Sequence, residues 1–172
     1  MEASLKVETS PEHRRAALSL PSDREILVVR DFKAPKAWVF DAWLKPDWVR
    51  RWWGCRIHEM TRCELDPRVG GQWRFGTRSP GEEMEHVLSG EYQEIARADR
   101  LVFTQRYEPV PGSDHVVTIT FAERGDITTM TMHILHQSAE MCAGHLQSGM
   151  EAGMQESLER MEELLASRAP TT

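Results

Sequence analysis

At 172 residues the chain has room for one domain with a substantial core and would be cramped for two. Its composition, 40% hydrophobic and 28% charged, is that of ordinary globular domains. A net charge of −6 argues against a nucleic-acid surface, which needs clustered positive charge, and no apolar run approaches the roughly 20 residues that span a bilayer.

Residues 1–23 are polar and lack a sustained core pattern. Ser10-Pro11-Glu12 offers a cap and a first-turn proline for a short helix through Leu18, and the segment is expected to be a flexible N-terminal arm. Residues 24–32 alternate around Ile26, Leu27, Val28 and Val29 and predict a strand. Ala34-Pro35 opens a helix with Trp38, Val39, Ala42 and Trp43 on one side. Lys45-Pro46 stops it, because the residue before proline avoids helical angles. Pro46 starts a second short helix that ends near Trp52-Trp53-Gly54. Six further extended segments are predicted over 56–65, 72–77, 85–95, 100–107, 115–122 and 128–135. Gly70-Gly71, Pro80-Gly81, residues 109–112 and Gly125-Asp126 punctuate them as turns. Alternation places Trp73 and Phe75, then Leu101, Phe103 and Tyr107, then Val117, Ile119 and Phe121, then Met130, Met132 and Ile134 on shared faces.

From Ser138 onward the period changes to three and four residues. Leu146, Gly149, Met150, Gly153, Met154, Ser157, Leu158, Met161, Leu164 and Leu165 predict one face of a single long helix over residues 138–166. Two glycines in that stripe each cost about 1 kcal/mol relative to alanine, so space or a close neighbour is expected beside the helix. Residues 167–172 are expected to fray. The order is strand, two short helices, six strands, helix: an α+β protein of about seven strands in one antiparallel sheet. Such a sheet curls, and its concave face needs a cover that only the last helix is long enough to supply.

A series of local motifs is familiar. It comprises residues 35–43, Arg51-Trp52-Trp53-Gly54, Cys63-Glu64-Leu65-Asp66, Gly70-Gly71-Gln72-Trp73-Arg74-Phe75 and Gly90-Glu91-Tyr92-Gln93-Glu94-Ile95. Arg100-Leu101-Val102-Phe103-Thr104, residues 116–121 and the closing Gly153-Met154, Leu158, Met161 and Leu164-Leu165 complete it. Together, over residues 24–166, these resemble bacterial relatives of the C-terminal domain of the Hsp90 ATPase activator, in the START-like (SRPBCC) superfamily. The resemblance implies a helix-grip fold, in which a curved antiparallel sheet wraps a long C-terminal helix around a hydrophobic cavity. It does not imply one activity: relatives bind lipids, hormones or polyketides, and some catalyse cyclisation. Where many relatives carry Gly-Trp in the last helix, this chain has Gly153-Met154.

The expected function is therefore binding of a small hydrophobic or amphipathic molecule between sheet and helix, for sequestration, sensing or transport. Candidate ligand-binding residues are Trp53, Trp73, Phe75, Tyr92, Phe103, Met150 and Met154, with His86 as the polar group. One alternative is an enzyme of the polyketide cyclase type using His86 or Tyr92 on a carbonyl compound. Another is a protein-interaction module with a chaperone partner. No catalytic motif is present: the chain has no nucleophile elbow, Walker loop, dinucleotide fingerprint or His-Glu-x-x-His. His133, His136, Cys142 and His145 invite a zinc reading, but their spacing matches no established finger and strand alternation turns the two strand histidines apart. No metal or cofactor is assigned. Cys55, Cys63 and Cys142 do not form a disulfide framework, and no apolar leader follows Met1, so a reduced, cytoplasmic protein is expected, as monomer or homodimer.

Overall fold

The computed structural model describes residues 15–168. Twelve elements follow one another: β1 (Ala17–Ser22), β2 (Glu25–Phe32), α1 (Lys36–Leu44), α2 (Pro46–Trp52), β3 (Glu59–Leu65), β4 (Gln72–Arg78), β5 (Glu85–Ala96), β6 (Arg100–Tyr107), β7 (His115–Arg124), β8 (Ile127–His136), α3 (Ala139–Gln147) and α4 (Met150–Arg168). The eight strands form one antiparallel sheet in the order β1-β2-β8-β7-β6-β5-β4-β3. The helices pack against it, giving the α+β helix-grip architecture.

Period-two burial makes the sheet's inner face. Ile26, Val28, Arg30 and Phe32 on β2, Val117, Ile119 and Phe121 on β7, and Met130, Met132 and Ile134 on β8 are all buried. Register aligns them in rows: Ile26 opposite Ile134, Val28 opposite Met132, Ile119 opposite Met132 on its other side. Leu158, Met161, Leu164 and Leu165 bury the matching stripe of α4. Each such side chain contributes about 1.5–3 kcal/mol of burial. Arg30, only 1% exposed, reaches from β2 to Glu162 of α4 at 2.6 Å.

Three features differ from the expectations. Residues 17–22, expected in the arm, form strand β1, paired with β2 from Ala17 opposite Val29. The pairing covers what would otherwise be an open edge of β2. The Gln155 side chain secures its start: it accepts from the Ala16 N–H at 3.1 Å and donates to the Ala16 carbonyl at 2.7 Å. Residues 15–18 of the expected helix are thus not helical, Ala17 and Leu18 lying in the strand; residues 10–14, like the tail from residue 169, lie outside the described residues. Second, the single long helix is two, separated at Ser148-Gly149, where Gly149 adopts φ of 83°. Third, β3 begins at Glu59, later than residue 56.

Gly90 is demanded by close approach. A Cβ there would lie 1.7 Å from the Thr104 carbonyl oxygen and 2.8 Å from Nε1 of Trp73. Gly144, in α3, has open space around the same atom. Gly90→Ala is expected to cost about 3 kcal/mol or more, lowering the melting temperature by roughly 10 °C, while Gly144→Ala is neutral or slightly stabilising. Thermal denaturation of the two variants beside the parent chain checks this.

Candidate functional site

A partly enclosed cavity of about 260 Å³ lies between the sheet and the two C-terminal helices. Trp43, Trp52 and Trp53 from α1, α2 and the turn after it close one end. Leu88, Phe103, Val117, Met132 and Ile134 supply the sheet wall. Met150, Gly153, Met154 and Leu158 supply the helix wall. Polar groups are few: Thr77, Gln105, His58, His145, Cys55 and Ser157.

The void follows from local chemistry. A Cβ at Gly153 would meet nothing within 4 Å, so α4 presents bare backbone where its neighbours present large side chains. The first turns of α4 are held in place by the turn after α2. The Gly54 N–H donates to Ser157 Oγ at 3.1 Å, and the Arg160 guanidinium donates to the Gly54 carbonyl at 2.8 Å. Gly54 has φ of 82°, which favours glycine at that bend.

Of the candidate residues, Trp53, Phe103, Met150 and Met154 come together in this cavity. Trp73, Phe75 and Tyr92 lie behind them in an aromatic cluster around a residual space of about 10 Å³. Its ring centres are 4.9 Å apart for Trp73–Phe75, 5.0 Å for Trp53–Phe75 and 5.6 Å for Trp73–Phe103. His86 sits opposite Thr77 and one strand step from Leu88, outside the lining residues. Its ring stacks on Tyr107, with Nδ1 2.6 Å from the hydroxyl. Burial pushes the Tyr92 hydroxyl well above its ordinary range, which makes it no base at neutral pH. Sequence reasoning put Val117 and Met132 on inner faces without assigning them to the site, and missed Gln105. Their strand alternation was the available signal.

The three cysteines are unpaired. Burial pushes all three thiols up, and Glu156 adds to this at Cys55. None is a ready thiolate nucleophile. A wider depression of about 750 Å³ lies on the outer face around Glu64, Arg74, Arg106 and Glu108. Its charges already satisfy each other: Arg74 donates to both carboxylate oxygens of Glu108 at 2.8 Å. The smaller apolar cavity is the better candidate site.

At the β7–β8 end of the cavity three histidines meet. His115 and His136 are cross-strand partners, and His145 arrives from α3. His136 Nε2 is 2.9 Å from His145 Nδ1. The other residues of the zinc reading are elsewhere: His133 pairs with Glu25 at 2.7 Å, and Cys142 is buried outside the trio. His115 escaped notice because its partners are distant in sequence.

The sequence pattern of the Activator of Hsp90 ATPase homolog 1-like family matches residues 33–166. The chain belongs to this family. Solved structures share its fold. A crystal structure of a Rhodobacter sphaeroides protein has a TM-score of 0.81 at 22% identity, covering 89% of this chain and 99% of that one. A crystal structure of a Mycobacterium smegmatis protein has a TM-score of 0.79 at 19% identity, covering 91% and 98%. A solution structure of an Arthrobacter aurescens protein has a TM-score of 0.77 at 22% identity, covering 89% and 92%. At these identities the likeness concerns the fold alone. No curated protein matches the chain.

The histidine trio of this family member carries an electrostatic load. Burial, then the neighbouring rings, hold His115 down to about 3. Burial followed by His136 holds His145 down to about 4, and burial lowers His136 as well. Below the ordinary histidine value of about 6.5, the unfolded chain takes up protons that the folded trio refuses, so stability falls as pH falls through that window. Glu85, held at about 2 by Arg62 and Thr61, stays charged throughout it. Urea denaturation in metal-free buffer is expected to lose about 3 kcal/mol between pH 7 and pH 5, and His145→Gln to flatten the slope.

Proposed function

We propose that this protein binds one small apolar or amphipathic molecule in the cavity between its sheet and C-terminal helices, for sequestration, sensing or transport. The observation that carries the reading is the cavity of about 260 Å³ with a mainly apolar lining and a bare helix face at Gly153. A dry cavity of roughly 150 Å³ takes one benzene-sized molecule. About 260 Å³ suits a ligand between one and two fused rings. Trp53 and Phe103 form the stiff side of the site, backed by Trp73, Phe75 and Tyr92. Met150 and Met154 form the adaptable side, since thioether chains repack around different shapes. Trp43 also lines the cavity, and its indole N–H is buried without a partner. His86 is a neighbouring polar group rather than part of the wall.

A cytoplasmic location agrees with three unpaired cysteines. Among the described residues, no helix is long and apolar enough to cross a membrane. No observation favours catalysis by His86 or Tyr92, since neither lines the apolar cavity between sheet and helices.

The family match supports a second reading, a co-chaperone-like module that binds an Hsp90-type partner. Two measurements separate them. Calorimetric titration with 2-naphthol, a bicycle with one polar group, is expected to give saturable 1:1 binding. Met154→Trp and Gly153→Leu, which fill the cavity, are each expected to weaken it at least about tenfold, or about 1.4 kcal/mol. Unchanged affinity in both variants sinks the cavity reading. Stimulation of ATP hydrolysis by a bacterial Hsp90, undiminished in these variants, supports the interaction module instead.

A further inference from the structure

The three histidines at the end of the cavity have the features of a metal centre. Topology brings them together: His115 opens β7, His136 closes β8 directly opposite it, and His145 lies on the helix that follows. Two of the rings are oriented from behind. Nδ1 of His136 is 3.1 Å from the Arg24 carbonyl, and Nδ1 of His115 is 3.3 Å from the Ser113 carbonyl. With each Nδ1–H donating to its carbonyl, the Nε2 lone pairs turn away from those carbonyls, that of His136 toward His145 Nδ1 at 2.9 Å. Carbonyl-anchored imidazoles of this kind are the usual outer support of metal-bound histidine.

The ring spacing is that of three ligands around one ion, with the ring nitrogens needing to turn inward to about 3.4 Å from one another. One ring nitrogen from each histidine lies within 4.8 Å of the other two, and the His136–His145 pair is already at 2.9 Å. The three ring centres are 4.9, 5.0 and 5.2 Å apart. Around a tetrahedral ion with Zn–N of about 2.0–2.1 Å, ring centres stand ~3.2 Å from the metal and therefore ~5.2 Å from one another. A hydrogen-bonded trio without an ion leaves one group unexplained. Nε2 of His115 is buried and has no partner, in a residue only 8% exposed. Such orphans are rare in a settled interior.

We propose that His115, His136 and His145 are ligands of a single divalent transition-metal ion of the zinc class, with a fourth position reached from the cavity. Imidazole nitrogens suit zinc, copper, nickel and iron, and three neutral ligands leave the full double charge on the ion. The fourth ligand is then an anionic or water oxygen. His145 itself lines the cavity, so an acidic oxygen on the cavity ligand would reach the ion. His115 and His136 also line a shallow outer depression with Arg24, Asp114 and Gln137, which offers the ion a route from solvent. Only the identity of the fourth ligand rests on the binding reading above; the three-histidine site does not.

The test uses the full chain after removal of metal by a chelator. Titration with Co²⁺ is expected to produce the visible absorption of a four-coordinate ion, saturating at one equivalent and displaced by one equivalent of Zn²⁺. His145→Ala is expected to weaken binding at least ~100-fold, and His133→Ala to leave it unchanged. His145 is only partly buried, so its variant is expected to fold. In the unmutated chain, Zn²⁺ is expected to shift the imidazole resonances of His115, His136 and His145 and spare those of His58, His86 and His133. Absence of the cobalt band, its persistence in His145→Ala, or shifts confined to other histidines overturns the site. A failure to take up 2-naphthol leaves this result untouched.

Discussion

The left-handed backbone at Gly149 is the constraint on which the rest of the structure depends. It ends α3 and starts α4 in a new direction, with φ of 83° that a side chain would strain. Because of that break, the C-terminal turns of α4 are packed into the core beside α2 while its first turns border the cavity. Leu158, Met161, Leu164 and Leu165 are buried, whereas Met150, Gly153 and Met154 face open space. The same break frees α3 to fold back toward β8, which delivers His145 to the strand ends. Cavity and histidine trio are two consequences of one bend.

The walls of the cavity differ in kind. The tryptophan end is built from rings in edge-to-face contact, with Trp43–Trp52 at 4.7 Å and Trp52–Trp53 at 5.5 Å. Trp52 is locked further by its N–H donating to the Ala42 carbonyl at 2.7 Å. Such contacts add about 0.5–1.5 kcal/mol per pair beyond burial, and they hold that end to one shape. The opposite wall carries methionines on a helix face that contains glycine. A rigid wall against a soft one accommodates a range of shapes of one size. Arg30–Glu162 and the Gln155 clasp on Ala16 fix α4 to the β1–β2 edge, so this softness stays local.

Period-two alternation made β7 and β8 legible residue by residue, because those strands bury one face completely. The prolines at 35 and 46 marked α1 and α2 for a backbone reason that needs no tertiary context. The first strand was not legible. Its six residues are almost all exposed and show no alternation, and its pairing is decided by the vacant edge of β2. The helix break was hidden for the opposite reason. The apolar stripe runs through residue 149 in phase, so periodicity alone reads one helix. Four of the eight candidate residues line the cavity, Trp73, Phe75 and Tyr92 lie just behind it and His86 lies outside, since alternation assigns a face but not a depth. The histidine trio depends on β7–β8 register and on the direction of α3, and neither is encoded locally.

Stability alone does not account for histidine at these positions. On the same two strands, the inward sites next along are Val117 and Ile134, which pack without a polar atom to satisfy. Valine or leucine at 115 and 136 would continue that core and remove the desolvation that depresses the imidazoles. The trio instead places three polar rings within 5.2 Å of one another, one of them, His145, lining the apolar cavity. A local choice that works against the packing around it is the mark of a functional position rather than a structural one. The conflict resolves when the rings share a common partner. Neutral imidazoles, costly as neighbours in a dry interior, are the form in which histidine binds a metal ion.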